Sequence, residues 1–233
     1  MEDALGIPTV LDKETNAAAL AEYYFGLKEE VKTMFLMLVW RNSIGGSVMF
    51  NGNVLHGFED GSGDIGHSLV DINGPLCSCG RYGCLERVAS GNALVNRAKA
   101  KLRSMNNMKL PVPCVADDLT LDDIFKFSNL GIPLFEETVD YAAQMIATAI
   151  GNVISILSPS LFVIGGPLTV MSPTLVSKIQ TYVHNRSYPE SVKRIRIESS
   201  TLGDAGCALG AVMLALDKYQ TRLCQQGPAS VLD

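Results

Sequence analysis

The sequence predicts an α/β fold, and three features carry that prediction. Residues 33–40 form a continuous apolar run of strand length, residues 134–157 read as one long helix, and short strand patterns alternate with helical ones along the chain. At 233 residues the chain is long enough to bury a substantial core. Apolar residues make up 47% and charged residues 18%, which excludes a disordered chain.

Taken in order, residues 7–11 are expected to form a short strand after the Gly6 turn. Residues 15–25 (TNAAALAEYYF) are alanine-rich and helical, with Thr15 as N-cap. The strand at 33–40 is of the kind buried on both faces, and Arg41 ends it. Residues 42–46 follow as a polar, glycine-containing loop. Residues 48–50 and 54–56 flank Asn51-Gly52-Asn53, a hairpin signal. Residues 57–83 are rich in Gly, Asp, Ser, Asn and Cys and read as irregular structure around a site. From Cys84 the pattern is helical, bent near Gly91. Pro111 and Pro113 mark a loop, residues 119–127 a short helix, and the small residues within 134–157 permit close packing. Residues 161–164 form a strand ending at Gly165-Gly166. A helix over 173–183, a strand over 195–198 and a helix over 207–216 complete the order, and the tail after Lys218 is expected to fray.

The net charge of −5 offers no broad attraction to nucleic acid, so any DNA contact is expected from a segment outside this sequence. The start, MEDALGIPTV, is acidic and lacks the basic and apolar regions of a secretory signal. No run is expected to span a bilayer, and the expected location is the cytoplasm. In such a chain a tight cysteine cluster reads as a metal site and not as a disulfide framework. Cys77, Cys79 and Cys84 supply three thiolates on a glycine-rich loop, and His67 is the natural fourth donor for zinc. A Cys3His set leaves no open position, so the zinc would be structural. The alternative is three unlinked buried thiols. Cys114, Cys207, Cys224, His56 and His184 show no partner pattern.

The stretch Gly63-Asp64-Ile65-Gly66-His67, then Gly74-Pro75-Leu76-Cys77-Ser78-Cys79-Gly80, then Gly83-Cys84-Leu85-Glu86 resembles the signature of the ROK family, GE-I/L-GH followed by CxCGxxGCxE. That family comprises repressors, open reading frames of unknown role and sugar kinases. Residues 15–22, 163–168 and 201–211 resemble its helix after the catalytic Asn-Asp, its glycine turn near adenosine and its closing helix. The resemblance implies a two-lobed actin/hexokinase-type (ribonuclease H-like) fold with an inserted zinc loop, sugar in the cleft, and a homodimer. It implies that residues 1–216 are a partial ROK domain, mainly the second lobe, with the zinc and sugar loop at 64–86 and a C-terminal tail at 217–233. The family's phosphate-gripping DxGxT hairpin is not found before Ile7.

The resemblance also assigns a site. Asp64, His67 and Glu86 would read sugar hydroxyls, Asp64 standing where the family has Glu. His67 would either serve both zinc and sugar or bind zinc alone, and Glu86 would either bind sugar or stand solvated in the first turn of a helix. Lys13 and Glu14 occupy the family's Asn-Asp positions, which leaves Glu14 as a sugar ligand and a doubtful catalytic base. The phosphate loop GTGxGG is reduced to Arg41-Asn42-Ser43-Ile44-Gly45-Gly46, and Gly45, Gly46, Gly165 and Gly166 are what remains of a nucleotide site. ATP and magnesium are therefore not expected. The favoured reading is a monosaccharide-sensing portion of a transcriptional regulator. An ATP-dependent carbohydrate kinase of glucokinase type, or a fragment of one, is the alternative, and a ligand-free interaction or dimerisation piece is a third.

Overall fold

The computed structural model describes residues 1–27, 31–105, 115–193, 195–203 and 205–226. A five-stranded mixed sheet, ordered β3-β2-β1-β4-β5, organises them. Its centre is β1 (Thr33–Val39), which pairs antiparallel with β2 (Ile44–Phe50) and parallel with β4 (Leu161–Gly165). β3 (Asn53–Val54) extends the hairpin side, and β5 (Arg196–Ser199) pairs parallel with β4. Asn51 and Gly52 join β2 to β3 with φ of 49° and 79°. Two successive positive φ values make the tight turn whose twist suits a hairpin, which is why Asn-Gly serves there.

Helices cover both faces. One face packs on α3 (Leu85–Ala89), α4 (Gly91–Ser104), α5 (Leu121–Asn129), α6 (Pro133–Leu157) and α8 (Pro173–Arg186). The other receives α2 (Glu14–Ala21) and α10 (Ala205–Gln226). Because side chains alternate along a strand, Phe35, Met37 and Val39 enter the first core while Met34, Leu36 and Leu38 enter the second. The apolar run of β1 is thus buried on both sides, as its composition predicts.

The structure departs from the sequence reading in several places. Residues 7–11 are not a strand: Ile7 and Leu11 are exposed, and the segment is held by the Thr9 N–H donating to Glu2 Oε1 at 2.7 Å. α2 starts at Glu14 with Lys13 as N-cap, and Thr15 is buried against Gly45. The helix ends in a π-helical turn over Glu22–Gly26. Residues 44–46 belong to β2 and not to a loop. α1 (Glu2–Leu5), α7 (Pro167–Met171) and α9 (Pro189–Val192) are short helices that the patterning does not signal. α10 runs on to Gln226, beyond the point where fraying was expected. Pro111, Pro113 and Cys114 lie outside the described residues. Among the described residues one helix, α6, is long and apolar enough to cross a bilayer. It is instead the central core helix, with Phe135, Val139, Ala142, Ile146 and Ile150 buried against the sheet and its neighbours.

The packing of α10 on α2 needs a missing side chain. A Cβ on Gly210 of α10 would stand 1.7 Å from the Ala17 carbonyl oxygen of α2. Gly210→Ala must therefore part these helices, and we expect a loss of about 1–3 kcal/mol. Urea denaturation checks this as a lower midpoint at unchanged slope.

Candidate zinc and sugar site

The loop between His67 and Cys84 is shaped by backbone hydrogen bonds before any metal is considered. The Cys77 N–H donates to Arg81 O at 2.7 Å and the Gly80 N–H to Cys77 O at 3.0 Å, closing a tight turn that aims two sulfurs inward. Gly83 has φ of 70°, and a Cβ there would stand 1.7 Å from Asp71 O, so only glycine fits. The Leu85 N–H donates to Ser68 O at 2.9 Å, which brings the start of α3 beside His67.

The result gathers His67, Cys77, Cys79 and Cys84, whose ligand atoms lie within 4.8 Å of one another. Cys79 Sγ and Cys84 Sγ are 3.6 Å apart, and Cys77 Sγ is 3.7 Å from His67 Nδ1. Zinc–sulfur bonds of about 2.3 Å in a tetrahedron place neighbouring ligands about 3.6–3.8 Å apart. The donor set therefore fits a metal ion, and its softness fits zinc. Its electrostatics agree. The Arg81 backbone N–H and guanidinium hold the exposed Cys79 thiol down to about 6, while burial, then the neighbouring sulfurs, push Cys84 up to about 12. Sulfurs this close resist joint ionisation until a cation neutralises them.

Around this loop stand the acids. Asp64 immediately precedes the short 3-10 turn Ile65–His67 without a side-chain capping bond, and its Oδ1 accepts from Lys13 Nζ at 2.7 Å. Lys13 also donates to Ser62 O at 3.2 Å. Glu86 sits in the first turn of α3, and its Oε2 accepts from the Ile44 N–H at 3.4 Å. Lys13 and Asp64 thus meet where the start of α2 reaches the 63–67 turn, while Glu86 opens with Asn42, Cys77 and Ser78 on a cavity of about 500 Å³. Glu14 is exposed one residue from Lys13 but faces a different space.

That space is a cavity of about 150 Å³ lined by Glu14, Trp40, Gly166, Ser200 and Gly203. The four glycines do not converge on it. Gly45 and Gly46 are strand residues of β2, where Gly46 leaves room for the Phe35 ring and Gly45 for Thr15. Gly165 ends β4, and Gly166 turns the chain at φ of 95° so that its backbone can approach Val39.

Other residues escaped the sequence reading. Asp12 Oδ1 accepts from the Lys13 N–H at 2.6 Å and from Asn16 Nδ2 at 2.7 Å, fixing the start of α2. Its position just before an alanine-rich helix was the available signal. His56 does have partners: Nδ1 lies 3.2 Å from Asp60 Oδ1 and Nε2 4.0 Å from Asp12 Oδ2. Buried Glu22 accepts from Ser200 Oγ and from the Thr201 N–H at 3.1 Å, tying the far end of α2 to the entry of α10.

Protein purified without chelator is expected to carry zinc at one ion per chain by elemental analysis. Cys84→Ser should lose it and lower the melting midpoint, as chelation does for the unsubstituted chain, since closing such a site contributes folding energy. A metal-free chain with the same melting midpoint contradicts this.

Comparison with known proteins places this architecture. The ROK family profile matches residues 1–218. A glucokinase of Halalkalibacterium halodurans is 28% identical over 229 residues, covering 97% of this chain and 68% of the relative. The DNA-binding transcriptional dual regulator NagC of Escherichia coli is 28% identical over 214 residues, covering 92% of this chain and 51% of the relative. The chain thus spans about two thirds of one and about half of the other. The ROK hexokinase structure from Thermus thermophilus superposes with a TM-score of 0.81 at 26% identity, over 94% of this chain and 69% of that one. The mixed sheet with its helical layers is accordingly the actin/hexokinase-like fold of these proteins, and the chain belongs to the ROK family.

Proposed function

We propose that this chain is the sugar-sensing part of a ROK-type transcriptional regulator, stabilised by a structural zinc and without phosphoryl transfer. The observation that carries the reading is the loop after β1. Residues 41–43 are Arg, Asn and Ser, with no glycine to let backbone N–H groups close on a phosphate. Its carbonyls are engaged instead: Trp40 O and Arg41 O accept from the Gly91 and Asn92 N–H groups of α4 at 3.2 and 2.7 Å. The cavity beside Trp40 is only about 150 Å³, and the wider one of about 500 Å³ on which Asn42 opens is shared with Glu86 and the metal loop.

The sugar side keeps its chemistry. Asp64 and Glu86 offer carboxylate oxygens to hydroxyls, Lys13 offers a donor, and with His67 Nδ1 at the metal its Nε2 is left for the sugar. The Lys13–Asp64 pair is solvent-accessible, with side chains 32% and 60% exposed, and such pairs open at little cost. A sugar inserted there would bridge α2 to the metal loop, and differential binding to two arrangements of these elements is all that sensing requires. DNA contact is assigned to a segment outside this sequence, because a chain of net charge −5 is a poor partner for phosphates. The protein would act as a cytoplasmic homodimer.

The second reading is a sugar kinase of the glucokinase kind. Its support is Glu14, which stands exposed at the start of α2 and opens on the cavity shared with Gly166 and Gly203. Calorimetric titration of zinc-loaded protein with a panel of aldohexoses and N-acetylhexosamines, followed by ATP with magnesium, separates the two. We expect sugar to bind and nucleotide not to. Asp64→Ala and Glu86→Gln should each weaken sugar binding by roughly tenfold or more, the effect of removing a charged hydrogen-bond partner. Formation of sugar phosphate in a coupled assay would overturn the regulator reading.

A further inference from the structure

The four donors of the metal loop do not stand equally toward solvent. Cys77 and Cys84 are buried, with 2% and 1% of their surface exposed, and His67 is half-buried, whereas Cys79 is exposed. Cys79 belongs to the tip of the loop. Residues 78–82 are all exposed, and Gly80 turns the chain there at φ of 84° with open space beside it.

The donors also fall into two different pairs. Cys79 Sγ lies 3.6 Å from Cys84 Sγ, while Cys77 Sγ lies 3.7 Å from His67 Nδ1. Cys84 is anchored, because it opens α3 and the next residue, Leu85, donates its N–H to Ser68 O at 2.9 Å. Zinc takes cysteines as thiolates, the form that peroxides oxidise. An accessible thiolate with a second sulfur at hand is the arrangement that oxidises reversibly, since the second sulfur captures the first product as a disulfide. Buried Cys84 is shielded from an oxidant in solution but stands within reach of Cys79.

We propose that Cys79 and Cys84 are a peroxide-sensitive pair that opens the metal site. The Cys79 sulfur attacks hydrogen peroxide, forming an S–O bond as the O–O bond breaks and hydroxide leaves. The Cys84 thiolate then attacks the Cys79 sulfur, forming the S–S bond and expelling a second hydroxide. The two sulfurs lose two electrons, the peroxide gains them, and two protons from solvent turn the hydroxides into water. His67 and Cys77 alone remain as donors, too few to close a tetrahedron, so zinc is lost. On the sugar-sensing reading, on which this last consequence rests, His67 then loses the partner that orients its ring.

The test uses the full chain loaded with zinc, its thiols reduced and the reductant removed. A slight molar excess of hydrogen peroxide is expected to release the ion, read with a chromogenic chelator. Peptide mapping by mass spectrometry should find Cys79 joined to Cys84, and dithiothreitol should restore zinc binding. Replacing Cys114, Cys207 and Cys224 together by serine should leave the release unchanged. Cys79→His, which offers a nitrogen donor in place of the sulfur, should keep its zinc under the same peroxide. If either variant fails to fold or to hold zinc, the peptide map of the unsubstituted chain decides the matter. Zinc retained by the treated unsubstituted chain, release without a Cys79–Cys84 bond, release that dithiothreitol does not reverse, or a chain that takes up no zinc would each overturn the proposal.

Discussion

The site depends on how closely the turn at residues 63–67 lies on the backbone of β2. A Cβ on Gly63 would stand 2.2 Å from Gly46 O, and one on Gly66 would stand 2.0 Å from Ile44 O. The Gly46 N–H donates to Gly63 O at 2.9 Å, so the two segments are joined as well as pressed together. From this contact a closed circuit follows. The turn carries His67 to the cysteines, Cys84 opens α3, and Glu86 of α3 returns to the Ile44 N–H. On its other side β2 sets the start of α2, because Gly45 makes room for Thr15, two residues after Lys13. One strand thus fixes the relative positions of Lys13, Asp64, His67 and Glu86.

This account changes the meaning of Gly45 and Gly46. As a sequence they resemble the end of a phosphate loop. In the structure they are packing glycines, and their lack of side chains lets α2, Phe35 and the 63–67 turn crowd onto the same strand. The loop that would meet phosphate is the segment before them, and there the residues are Arg41, Asn42 and Ser43. On the proposed regulator reading no phosphate cradle is needed, and nothing in that role would hold glycine at these positions.

The parts legible in the sequence were those set by local chemistry. The double-sided burial of β1, the length of α6, the Asn51-Gly52 turn and the spacing of Cys77, Cys79 and Cys84 each express a short-range rule. What failed to show was decided by distant partners. Residues 44–46 look like a loop until β1 supplies a ladder for them, and residues 7–11 look like a strand but have no sheet edge beside them. Thr15 looks like a cap but is buried in the contact with β2. Glu22 acts through residues up to 180 positions away, as its bond to Leu202 illustrates, and His56 comes near Asp12 across the fold, contacts that no local pattern announces.

The central claim is that the metal loop and the sugar site are one unit, so that binding at one must strengthen binding at the other. The direct measurement is the affinity of one hexose that binds, taken by calorimetry on the zinc-loaded chain and on the chelated chain, with circular dichroism confirming that both remain folded. The account predicts that removing zinc weakens sugar binding by roughly tenfold or more, the scale on which supporting contacts at a metal ligand act. Equal affinity in a folded, zinc-free chain would contradict it, and would mean that Asp64 and Glu86 are positioned by β2 alone.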